Sequence, residues 1–147
     1  IAVLGDVRLA PLAVCARRAT AAMEGFARAD RYILHGDAHE HNMLVCDGAC
    51  ALIDPLGFIA PFAFEPSRYM GSFLRERDLD ANGLLALAAR LLPPEIAMAD
   101  ALAALSIDTT MRACNTFIEG NTYPEILDAA AWAQKTWTCA DALIKAL

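Results

Sequence analysis

Lysine is nearly missing from this sequence: Lys135 and Lys145, both close to the end, are the only two. The glycines stand at 5, 25, 36, 48, 57, 71, 83 and 120, so no G-x-G-x-x-G run exists and no phosphate-cradling loop of that kind is present. No two cysteines are spaced C-x-x-C, which excludes a zinc ribbon or a thioredoxin-type site. No histidine follows His41. The longest stretch free of charge and histidine is Pro55 to Phe64, far short of the ~18 apolar residues a bilayer span needs, so no membrane partner is expected. The start carries no basic region followed by an apolar run, and no signal peptide is expected. Its first residue is Ile, so we expect a piece of a longer protein.

What is present fits a cytoplasmic globular domain. Apolar residues make up 57%, ample for a core when soluble domains average about 45–50%. The net charge of −6 repels phosphate backbones and argues against nucleic acid. Residues 1–36 carry five Arg against three acids, whereas 37–92 carry eight acids against four Arg, so the acidic excess begins at the most polar motif. The five cysteines (15, 46, 50, 114 and 139) read as reduced, buried and apolar in role, although Cys46 and Cys50 flank a tight turn and could face each other.

Periodicity predicts a helix over 9–29, with Leu12, Ala16, Ala19, Met23 and Phe26 inward, then a short strand over 31–34. Two apolar runs, 43–46 and 50–53, flank Asp47-Gly48, a strong hairpin signal. From Pro66 onward helices are predicted over about 67–76, 79–92, 95–105, 109–119 and 125–146, with Asp108 as an N-cap. In the last of these Ile126, Ala130, Ala133, Trp137, Ala140, Ile144 and Leu147 form one buried stripe. The expected class is α+β, mostly α: a small β-ribbon carrying the polar residues on a helical body.

The chemistry concentrates in His35-Gly36-Asp37-Ala38-His39-Glu40-His41-Asn42 and in Asp54. If the hairpin strands pair, the loop before the first and the loop after the second lie at one end, and Asn42 comes close to Asp54. A carboxylate, an amide oxygen and a second carboxylate are hard oxygen ligands of the kind magnesium prefers. That layout suits phosphoryl transfer: one Asp orients the acceptor hydroxyl and takes its proton, while an Asn and a second Asp hold metal against the transferring phosphate. The order His-x-Asp-x-x-x-x-Asn, hairpin, Asp is that of the kinase catalytic and metal loops.

On these residues, with Ile53-Asp54-Pro55 and the apolar flanks Tyr32-Ile33-Leu34 and Met43-Leu44-Val45, the sequence resembles the aminoglycoside phosphotransferase family. The nearest look is its streptomycin and hydroxyurea kinase branch. The resemblance is specific over about residues 30–76. It implies a protein-kinase-like C-terminal lobe, Asp37 as catalytic base, and Asn42 and Asp54 as ligands of the Mg²⁺ that accompanies ATP. His35, His39 and Glu65 would support the loop. Glu65 follows Phe64 where the family more commonly has Asp after an aromatic, and Pro66, Arg68 and Tyr69 come next.

The lysine that pairs the nucleotide phosphates and the glycine-rich loop would belong to an N-terminal nucleotide-binding lobe, which these residues do not include. We therefore expect residues 1–147 to be the catalytic, substrate-binding lobe of an ATP-dependent phosphotransferase acting on a small-molecule hydroxyl, with an antibiotic such as streptomycin as the implied substrate. The isolated chain should be inactive, and a bare inter-lobe face should favour self-association. Glu95, Asp100, Asp108 and Glu119 are loose candidates for receiving a cationic substrate. Two alternatives stay open. One is a non-catalytic relic or binding module, against which the intact Asp37, Asn42 and Asp54 speak. The other is a metal-dependent hydrolase using His35, His39 and His41, with His39 and His41 side by side on extended backbone and Asp37 as a further ligand.

Overall fold

The Asp47-Gly48 pair turns the chain back on itself with φ of 51° and 79°, the two left-handed residues a type I′ hairpin turn needs. It joins β2 (Met43–Cys46) to β3 (Ala49–Leu52), antiparallel with Met43 opposite Leu52 and Cys46 opposite Ala49. A second two-stranded sheet pairs β1 (Tyr32–Leu34) with β4 (Phe58–Ala60), Ile33 facing Ile59. The computed structural model describes residues 7–146. Sequence reasoning expected one ribbon and no strand at 58–60. Three residues, Phe-Ile-Ala, are too few to show alternation, and only pairing with β1 makes them a strand.

The rest is helical: α1 (Ala10–Gly25), α2 (Phe64–Glu76), α3 (Ala81–Leu91), α4 (Met98–Ile118) and α5 (Tyr123–Ile144). The α+β, mostly α class is therefore observed. The chain divides into two compact units, residues 28–105 and residues 1–27 with 106–147. In the first, Leu34, Met70, Leu74, Leu84, Ala88 and Leu102 are buried. In the second, α1 lies along α5, with Leu12, Cys15 and Ala19 buried on one helix and Ala130, Ala133, Trp137 and Ala140 on the other.

Several expected boundaries shift. The first helix stops at Gly25 rather than 29, and its buried stripe runs through Cys15, leaving Met23 exposed. The two helices expected over 95–105 and 109–119 are one, α4, and Asp108 is not an N-cap. Nothing between Ala104 and Thr110 breaks a helix. Asp108 instead accepts from Arg112 one turn on at 2.9 Å, and the Thr109 and Thr110 hydroxyls donate to the Ser106 carbonyl. Helix α2 begins at Phe64, with Pro66 inside its first turn, where a missing N–H costs nothing. On α5, Ile144 is exposed rather than buried, and Leu147 lies outside the described residues. Trp137 serves the core: its indole N–H donates to the Thr110 hydroxyl at 3.0 Å, and the Arg18 guanidinium stacks on its ring. Among the described residues no helix is long and apolar enough to cross a membrane.

Candidate active site

All the polar residues singled out by sequence, apart from the loose acidic set, fall in the unit formed by residues 28–105. Strand β1 delivers the chain into the loop at His35. Gly36 takes φ of 78°, and a Cβ there would stand 2.2 Å from the Phe58 ring. Glycine suits both that left-handed backbone and the close approach of the Phe58 ring.

His35 ties the loop before the hairpin to the loop after it. Its Nδ1 accepts from the Asp37 backbone N–H at 3.3 Å, which leaves Nε2 as the protonated nitrogen, donating to the Ile53 carbonyl at 2.8 Å. The Gly57 N–H returns to the His35 carbonyl. The hairpin ladder continues one step further, since the Ile53 N–H donates to the Asn42 carbonyl at 2.9 Å. Asn42 is thus paired with Ile53, the residue just before Asp54. Asp54 itself is exposed, with φ of 56°, a left-handed conformation that Asp and Asn tolerate better than most residues.

Asp37 is held on three sides. Arg68 Nε donates to its Oδ1 at 2.9 Å, and a terminal nitrogen of the same guanidinium stands 2.8 Å from that oxygen as an ion pair. The Asn42 Nδ2 donates to its Oδ2 at 3.2 Å and to its backbone carbonyl at 3.0 Å. His39 Nε2 stands 3.4 Å from Oδ2. With the Asn42 nitrogen so committed, its amide oxygen is the end available to a cation. Asn42 is buried, and the side chains of Asp37 and Arg68 are 23% and 14% exposed, so these charges lie at the edge of solvent rather than in it. The oxygens of Asn42 and Asp54 are hard donors at one end of one hairpin, and they suit Mg²⁺.

Glu65, in the first turn of α2, accepts from the Gly36 N–H through Oε2 at 3.3 Å, while its Oε1 is buried with no hydrogen-bond partner. Arg68 stands three residues on. Sequence reasoning noted Arg68 without giving it a role. The readable signal was the i, i+3 spacing, which sets Glu65 and Arg68 on one helix face.

For the metal-dependent hydrolase alternative, the three histidines are spread over different surroundings. His39 is extended, but His41 is not: residues Glu40–Asn42 form a 3₁₀ turn capped by His39, whose Nδ1 accepts from the His41 N–H. Both ring nitrogens of His35 and of His39 are engaged, and the His41 side chain is 76% exposed beside Glu40. Among the described residues no three His, Cys, Asp or Glu side chains are grouped to hold a metal. Of the acidic residues considered for a cationic substrate, Asp108 is committed to Arg112, and Glu95, Asp100 and Glu119 are exposed.

Comparison with protein-family models, with curated proteins and with solved structures returns no match.

Proposed function

We propose that this chain is the catalytic half of an ATP-dependent phosphotransferase that acts on a hydroxyl of a small molecule, with a streptomycin-like aminoglycoside as the substrate class. The observation that carries the reading is the single network joining Asp37, Asn42 and, through the Asn42–Ile53 and His35–Ile53 bonds, the loop of Asp54. Its order along the chain is that of a kinase catalytic loop and metal loop.

In the reaction, Asp37 accepts a hydrogen bond from the acceptor hydroxyl and aims its oxygen at the γ-phosphorus of ATP. The new O–P bond forms as the bond from the γ-phosphorus to the β,γ-bridging oxygen breaks. The hydroxyl proton passes to Asp37, and ADP leaves. Asn42 and Asp54 would hold Mg²⁺, which supplies charge neutralisation at the phosphates. Phosphoryl transfer rests on positioning and charge more than on covalent chemistry, so a loop fixed this firmly is the main thing the protein contributes.

The groups that grip the triphosphate would come from a nucleotide-binding lobe outside these residues. Exposed apolar side chains on the hairpin, Leu44, Val45 and Leu52, are surface that such a lobe would cover. Two experiments test the reading. The full-length protein containing these residues, given radiolabelled γ-phosphate ATP, Mg²⁺ and streptomycin, should transfer label to the antibiotic. The isolated 147 residues should show no transfer and bind MgATP no more tightly than about millimolar by calorimetry. Micromolar binding by the isolated chain would contradict the need for a second lobe.

A further inference from the structure

We propose that Arg68 is a positioning residue of this site: by holding Oδ1 of Asp37 against its guanidinium, it turns the carboxylate so that Oδ2 is the oxygen offered to the acceptor hydroxyl. The inference rests on the phosphotransferase reading above and deepens it.

The two oxygens of Asp37 are held unequally. Oδ1 receives one charge-assisted bond from Arg68 Nε at 2.9 Å and stands 2.8 Å from a terminal nitrogen of the same rigid guanidinium as an ion pair. The Asn42 and His39 contacts to Oδ2 are longer, at 3.2 and 3.4 Å. An oxygen held by a short bond and an ion pair to one cation stays engaged with it, whereas one with long contacts can exchange a partner for a substrate O–H. Arg68 is itself fixed, being mostly buried on the first turns of α2. The same helix face carries Glu65 onto the Gly36 N–H, so α2 grips two consecutive residues of the loop, Gly36 through Glu65 and Asp37 through Arg68. Neither bond involves the Asn42 oxygen or Asp54, so the grip sets the base without competing for the cation. A misplacement of about 1 Å at such a group can cost a hundredfold in rate.

The test is steady-state kinetics on the full-length protein with MgATP and streptomycin, comparing wild type, Arg68→Ala and Arg68→Lys. We expect Arg68→Ala to lose about ten- to a hundredfold in kcat, with KM for MgATP within about twofold. Guanidinium ion at tens of millimolar, roughly, should restore part of that loss, as small free donors can refill the gap. Arg68→Lys, a point charge without the fork, should fall between the two. An unchanged kcat in Arg68→Ala would overturn the inference. So would a loss confined to KM, or a loss that neither guanidinium nor the lysine variant relieves, since that pattern belongs to a purely structural residue. Wild-type protein that transfers no phosphate overturns the phosphotransferase reading itself, an outcome seen before any variant is compared.

Discussion

Phe58 lies so close to Gly36 that a Cβ at 36 would meet its ring at 2.2 Å and force it to shift, on a backbone with φ of 78°. β4 thereby fixes the conformation that presents Asp37. Gly36→Ala should destabilise the protein by about 1–2 kcal/mol for the left-handed backbone, with the ring contact added. Chemical denaturation reads this directly. Adding Phe58→Ala to Gly36→Ala should cost less than the sum of the two single changes, because the contact is then gone. An unchanged midpoint in Gly36→Ala would mean the loop is not built this way.

Thiol chemistry separates the cysteines. The expectation that all five are buried is corrected: Cys15 and Cys139 are buried, Cys114 is half-buried, and Cys46 and Cys50 are exposed. Cys46 sits opposite Ala49 and Cys50 opposite Val45, so the two cysteines project from opposite faces of the hairpin and cannot bond to each other. Denatured, non-reduced protein should titrate as five free thiols. In the native state Cys46 and Cys50 should react first. Burial raises the Cys15 and Cys114 thiols above the ordinary range, so each forms less thiolate at a given pH, and their modification should need more alkaline conditions or unfolding. A total of three thiols with Cys46 and Cys50 both missing would contradict the register of the hairpin.

Asp54 should matter to the cation and little to the fold. It is exposed, and its left-handed backbone suits Asn as well as Asp. Asp54→Asn should therefore leave the thermal midpoint nearly unchanged while raising the Mg²⁺ concentration that half-saturates transfer by about tenfold or more, since one anionic oxygen is lost. Activity measured against Mg²⁺ checks this, and an unchanged requirement would place the cation elsewhere.

How much was legible in the sequence depended on how local each signal was. The Asp47-Gly48 turn and the 3.6-residue stripe of α5 are local, and both could be read along the chain. The expectation that Asn42 comes near the Asp54 loop rested on the hairpin, and the bond between Asn42 and Ile53 extends that hairpin by one step. The junction inside α4 misled because Asp108 resembles a cap, whereas its carboxylate is taken by Arg112 one turn on. β4 was invisible because a three-residue strand exists only through its partner. The Arg68–Asp37 pair joins residues 31 apart, and no local pattern encodes it.

The most direct test of the central claim is the turnover of the Asp37→Ala variant of the full-length protein, measured with saturating MgATP and streptomycin beside the wild type. A base that acts in the transition state should cost about a hundredfold or more in kcat when removed, with nucleotide affinity little changed. Turnover close to wild type would contradict the assignment of Asp37, and with it the phosphotransferase site proposed around it.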